Sequence, residues 1–141
     1  MAEKIVIHTD GGSQGNPGPS AIGVVINNKG YSEYIGEGTN NEAEYKAVIF
    51  ALKKTKALLG KERLKEAEIE LKSDSELLVK QLSGEYKIME PRIQQFFIEI
   101  WNIKIDFGKI KFTLIPREKN GEADKLVNRA LDERRENKSL F

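Results

Sequence analysis

Cysteine is absent from the 141 residues. That excludes a disulfide framework and a thiolate metal centre, and it fits a reducing compartment. Histidine occurs once, at His8, which leaves no obvious Ser/His/Asp constellation for covalent catalysis. An excess of either charge is missing too. The chain has 23 Lys and Arg against 22 Asp and Glu, a formal net charge of +1, so any anion-binding surface must be a local basic patch. No apolar run approaches a membrane span, and Met1-Ala2-Glu3-Lys4 opens without the apolar stretch of a signal peptide. A cytoplasmic location with no membrane partner is therefore expected.

What is present describes a globular domain. Hydrophobic residues make up 39% and charged residues 32%, and this length suits one domain, 1–141, with a real core. No internal repeat or low-complexity linker divides it.

Hydrophobic periodicity places the elements. Lys4 to Asp10 is short and β-branched and reads as a strand. Gly11 to Pro19 holds four glycines and two prolines, the composition of an irregular loop. Ala21 to Ile26 and Tyr31 to Glu37 read as strands joined by a turn at Asn27-Asn28-Lys29-Gly30. A long helix starts at Asn41, with Ala47, Ala51 and Leu58 on one face, and Gly60 stops it. Ala67 to Lys72 alternates as a strand does. A helix capped by Ser73 or Asp74 carries Leu77, Leu78 and Leu82 towards Gly84. Pro91 opens another helix, Lys109 to Ile115 is the last strand, and a final helix starts near Gly121. The order implies a mixed α/β sheet with helices on both faces.

Four acids stand where such a fold presents ligands. Asp10 ends the first strand, directly before the glycine-rich run. Asp74 ends a later strand. Glu44 and Asp124 lie in the first turns of helices. Taken singly, each has another reading: Asp74 as an N-cap, Glu44 and Asp124 as acids favouring the positive end of a helix dipole. Spacing alone does not show that the four converge.

The segments Thr9-Asp10-Gly11-Gly12, Gly15-Asn16-Pro17-Gly18-Pro19, Thr39-Asn40-Asn41-Glu42-Ala43-Glu44, Ser73-Asp74-Ser75 and Asn120-Gly121-Glu122-Ala123-Asp124 together resemble the type 1 ribonuclease H family. They occur in the family's order and cover nearly the whole chain. The resemblance implies a ribonuclease H-like fold with a five-stranded mixed sheet in the order 3-2-1-4-5. It implies that Asp10, Glu44, Asp74 and Asp124 are catalytic carboxylates and metal ligands for two Mg²⁺ ions, with Mn²⁺ as a substitute. The implied substrate is an RNA–DNA hybrid, cut in its RNA strand to leave 5′-phosphate and 3′-hydroxyl ends, and the implied state is a monomer. Asn16, Asn41, Glu44 and the backbone near Ser13 and Gln14 match positions that contact RNA. Thr39 and Asn40 match a pocket for a phosphate of the DNA strand. Gly11, Gly12 and Glu76 complete the substrate-binding set. A broader nuclease of the same fold, cutting double-stranded RNA, and a silent nucleic-acid-binding module are the alternatives.

Three features depart from the family. Glu76 stands where Gln usually follows Asp-Ser, and a carboxylate near phosphates should weaken binding, so Glu76→Gln is expected to tighten it. Gly84 to Pro91 leaves no room for the basic helical protrusion of many bacterial members. The loop Pro116 to Asn120 has no histidine. His8, two residues before Asp10, is read as a packing residue. Trp101, Phe96 and Phe97 follow the helical period and are read as core or a partly exposed helix face, with core favoured, and not as a base-stacking platform.

Overall fold

The computed structural model describes residues 2–139. Its sheet runs β3-β2-β1-β4-β5, the order implied by the resemblance. The strands are β1 (Lys4–Ser13), β2 (Gly18–Ile26), β3 (Lys29–Gly38), β4 (Glu68–Ser73) and β5 (Lys109–Leu114). The helices are α1 (Asn40–Leu59), α2 (Lys61–Glu66), α3 (Glu76–Leu82), α4 (Pro91–Lys104) and α5 (Gly121–Ser139), with a 3₁₀ turn at Arg117–Lys119 before α5. β1 pairs antiparallel with β2 and parallel with β4, and β4 pairs parallel with β5.

Alternation along β1 sends Ile5, Ile7 and Thr9, all buried, to one face and Val6, His8 and Asp10 to the other. The first face meets the main core, which includes Tyr45, Val48 and Leu52 of α1, Leu64 of α2, Leu78 of α3 and Ile93 and Ile100 of α4. α5 covers the second face over β2, β3 and part of β1, closing a smaller core of Ala21, Val127, Ala130 and Leu131. Beside it, that face of β1, β4 and β5 carries the rows Lys4–Glu68–Lys109 and Val6–Glu70–Lys111, which line an open groove.

Several local expectations are corrected. The glycine-rich run is mostly strand: β1 continues through Gly11 and Gly12, and β2 begins at Gly18. Gly15 turns the chain with a φ of 91°, whereas Gly11 serves for close approach. An ideal Cβ on Gly11 would lie 2.3 Å from the backbone carbon of Ala43 in α1, and one on Gly23 would lie 2.1 Å from the carbonyl oxygen of Ala123 in α5. Leu58, Leu77 and Trp101 are exposed instead of core. Trp101 stacks on Phe97 at 6.0 Å between ring centroids, with the Lys104 ammonium over its ring. Phe96 and Phe97 are half-buried against the core. Gly60 ends α1 as expected, but the chain turns at once into α2, which buries Leu64.

α1 starts one residue earlier than its periodicity suggests, at a capping box. Thr39 Oγ1 accepts from the Glu42 amide at 3.1 Å, and the Glu42 carboxylate accepts from the Thr39 amide at 3.3 Å. This fixes the helix whose second turn lies against Gly11.

Gly11→Ala should force α1 away from β1 and cost about 1–3 kcal/mol, the usual range for overpacking. Gly12→Ala, whose Cβ would lie 3.6 Å from the nearest side-chain atom, should cost under about 1 kcal/mol. Urea unfolding of both variants checks the contrast, and equal stabilities would remove close approach as the reason for Gly11.

Candidate active site

β1 and β4 are parallel, so their carboxyl ends reach the same edge of the sheet, where such folds bind ligands. Asp10 lies in β1 beside Gly23 of β2, and Asp74 follows the last residue of β4. Asp74 caps nothing: Ser75 Oγ accepts from the Leu78 amide at 3.2 Å and is the N-cap of α3. Nor is Glu44 a first-turn acid. That place belongs to Glu42, and Glu44 sits further in, brought over β1 by the contact of Gly11 with Ala43 and Glu44. Carboxylate oxygens of Asp10, Glu44 and Asp74 all come within 4.8 Å of one another. Asp124, in the first turn of α5, lines the same cavity, which has a volume of about 490 Å³.

Crowding acids in a shielded place disfavours their charge. Burial, then the charges of Asp74 and Asp124, push the Asp10 carboxyl up to about 7, against a lowering hydrogen bond from the Gly11 amide at 3.0 Å. Burial, then Asp10 and Asp74, push Glu44 well above the usual carboxylate range. Glu44 Oε2 is buried and has no hydrogen-bond partner among the described residues, although a buried carboxylate oxygen ordinarily finds a donor. An unpartnered carboxyl oxygen among converging acids fits a hard divalent cation, whose charge would favour the ionised form and for which oxygen ligands are preferred.

The wall beside the acids is polar. Gly11, Gly12, Ser13, Gln14 and Asn40 line it. Asn40 Oδ1 accepts from the Ser13 amide at 2.9 Å, and Asn16 Oδ1 accepts from the Asn40 amide at 3.0 Å. The β1–β2 turn is thereby tied to the start of α1, so Asn16 and Asn40 also perform the turn chemistry that asparagine suits.

A family model described as reverse transcriptase-like matches residues 8–130. LC11-RNase H1, isolated from compost by a metagenomic approach and solved in complex with an RNA/DNA hybrid, is 47% identical, with a TM-score of 0.86 over 92% of this chain and 97% of that one. The ribonuclease HI of Halobacterium salinarum is 36% identical over 136 residues, 92% of this chain and 65% of that protein. This chain belongs to the type 1 ribonuclease H family. The N-terminal ribonuclease H domain of Rv2228c from Mycobacterium tuberculosis is also similar, at 33% identity and a TM-score of 0.84 over 94% of this chain and 96% of that one. The chain spans 36% of the length of the mycobacterial bifunctional protein Rv2228c.

Among the substrate-binding positions expected from the ribonuclease H resemblance, the cavity takes in Gly11, Gly12, Ser13, Gln14 and Asn40 and leaves out Asn16, Thr39, Asn41 and Glu76. Thr39 Oγ1 is engaged in capping. Glu76 is exposed and faces its own helix and the following loop, 3.1 Å from Lys80 Nζ and 3.1 Å from the Tyr86 hydroxyl. Lys80, then Tyr86, hold its carboxyl below the ordinary value. His8 is half-buried and lines a separate polar cavity with Asn27, Glu118 and Glu122. Burial, then Lys72, lower its pKa.

Beyond the expected site residues, the cavity wall also takes in Ser75, Arg117, Val127, Asn128 and Leu131. The last three follow Asp124 at i+3, i+4 and i+7, so the helical period counted from Asp124 would have found them. No site role was expected of Asn120, which is buried beneath Asp74 and Thr9.

A carboxyl whose pKa is raised by folding adds stability at acid pH, and that contribution is lost as pH rises through the folded value. For Asp10 the loss falls between about 4 and about 7. Asp10→Asn removes the titration and the repulsion. In EDTA at pH 8 it should be more stable than wild type by roughly 1–2 kcal/mol, after discounting for solvent screening. At pH 4 the two should be equal. Urea unfolding at both values checks this, and an Asp10→Asn protein no more stable at pH 8 would remove the repulsion.

Proposed function

We propose that this chain is a divalent-cation-dependent endonuclease that hydrolyses the RNA strand of RNA–DNA hybrids. The observation that carries the reading is the convergence of Asp10, Glu44 and Asp74, with Asp124 beside them, in an open cavity at the carboxyl ends of β1 and β4. The hybrid bound by LC11-RNase H1 in its solved complex supports the choice of substrate.

Asp10, Glu44, Asp74 and Asp124 would hold the cations. Two Mg²⁺ ions, with Mn²⁺ as a substitute, would supply the charge that activates a water for in-line attack on phosphorus and stabilises the leaving oxygen. The products would be a 5′-phosphate and a 3′-hydroxyl. The protein's contribution is to keep several negative groups together and ready, so that assembling them costs nothing during the reaction. No side-chain nucleophile is required.

Substrate choice would lie in the polar wall. The ribose 2′-hydroxyl separates RNA from DNA. Ser13, Gln14 and Asn40 present backbone and amide groups beside the acids, held rigid by the Asn16–Asn40–Ser13 contacts. Asn16 would act by holding Asn40. Thr39 would act by fixing the start of α1, and Asn41 would follow as its second residue. Arg117 adds a cation to the wall, placed to meet a phosphate.

Labelled RNA–DNA hybrid, double-stranded RNA and double-stranded DNA, each with Mg²⁺, Mn²⁺ or EDTA, give the test. Cleavage of the RNA strand of the hybrid is expected, with none in EDTA. Asp10→Asn and Asp74→Asn should each lower the rate at least about a hundredfold, equivalent to about 2.7 kcal/mol of barrier. Unchanged cleavage in EDTA would sink the reading, and preferential cutting of double-stranded RNA would sink the hybrid assignment.

The ion pair with Lys80 revises the expectation for Glu76. Its charge is already met by a neighbour, so Glu76→Gln should move KM for hybrid less than about twofold, as exposed pairs are worth little. A larger fall in KM would restore a direct clash between Glu76 and a phosphate.

A further inference from the structure

Asn120 is 1% exposed and occupies the place before Gly121 where a helix cap normally stands. A capping asparagine turns its side-chain oxygen to the first amides of its helix. Asn120 does not. Its Oδ1 is buried without a partner among the described residues, while its Nδ2 donates to the Thr9 carbonyl at 2.9 Å and reaches the Asp74 Oδ1 at 3.4 Å. The amide cannot be turned the other way, because Oδ1 would then face a carbonyl and a carboxylate that both only accept. Its own backbone carbonyl accepts from the Asp124 amide at 3.1 Å. One residue thus touches the backbone next to Asp10, the carboxylate of Asp74 and the backbone of Asp124.

Only the backbone contact with Asp124 would survive in a residue chosen merely to start a helix; the two made by the inward-turned amide would not. A buried acceptor left unsatisfied is a cost that natural structures rarely carry without a reason. The donor has one charged partner within reach, Asp74, which stands among the acids Asp10 and Glu44.

We propose that Asn120 is the positioning residue that presets the spacing of Asp10, Asp74 and Asp124 for cation binding, by clamping the Asp74 carboxylate to the backbone of β1 from the base of α5. The proposal rests on the nuclease reading. Groups that orient metal ligands from behind typically alter cation affinity by about 10–100-fold when removed, with little effect on substrate groups bound elsewhere.

The test uses the full chain without substrate. Calorimetric titration with MgCl₂ and MnCl₂ compares wild type, Asn120→Ala and Asn120→Ser, and hybrid cleavage is then followed against cation concentration. Asn120→Ala should weaken cation binding about tenfold or more. The half-saturating cation concentration should rise in parallel, while KM for hybrid stays within about twofold. Asn120→Ser keeps an O–H donor on a shorter arm and should recover part of the lost affinity. Urea unfolding in EDTA separates this from loss of fold. Wild-type cation affinity in Asn120→Ala would overturn the proposal. So would equal loss in Ser and Ala, or failure of both to fold, which would assign Asn120 to stability alone. A wild-type protein that binds neither cation would overturn the nuclease reading itself, an outcome visible before any variant is made.

Discussion

Like charges held within 4.8 Å of one another govern how the rest of this protein is built. In bulk water such acids would separate at little cost, but in a shielded cleft their repulsion grows as the effective dielectric falls. The side chains cannot relieve it by moving, because each is rooted in a different rigid element: Asp10 in β1, Glu44 in α1, Asp74 at the end of β4 and Asp124 in α5. Two of those elements are neighbouring strands of one sheet, and the other two are helices pressed onto its opposite faces.

The pressing depends on two glycines in adjacent strands. Gly11 admits the backbone of α1 and Gly23 admits that of α5, and Gly23 is the β2 residue directly beside Asp10. The β1–β2 ladder is therefore pinched from both sides at the point where the acids gather. Side chains there would hold the helices off by their own thickness and spread the carboxylates. The large core under α1 and the smaller one under α5 supply the burial that holds this arrangement closed.

Periodicity made the type and place of most elements legible, and the family resemblance supplied the strand order. The alternation Lys4 to Asp10, the break at Gly60 and the proline at 91 carry local signals strong enough to survive in the fold. What was illegible depends on distance between elements. Gly11 and Gly12 read as loop because glycine breaks strands on average, whereas here a second backbone needs the space. Leu58, Leu77 and Trp101 fit the helical period yet face solvent, since periodicity marks an apolar stripe but not how far a neighbour covers it. α2 buries only Leu64 and offers no stripe to find. Asp74 could be read as a cap until Ser75 was seen in that role. Asn120 is a single asparagine among turn residues, and nothing nearby in sequence announces that it reaches Thr9.

The sheet has two free edges, β3 and β5. An uncovered edge offers unpaired amides and carbonyls to any passing strand. Lys29, Glu33 and Glu37 stand exposed along β3, and Lys109 and Lys111 along β5. β3 is also bent at a register shift opposite Ser20 and Ala21, near Gly36 with its φ of 85°. A second copy that tried to extend the sheet through β5 would set lysine against lysine, and through β3 it would meet a strand that is not straight. The charges along both margins and the bend in β3 thus disfavour the addition of a sixth strand at either edge.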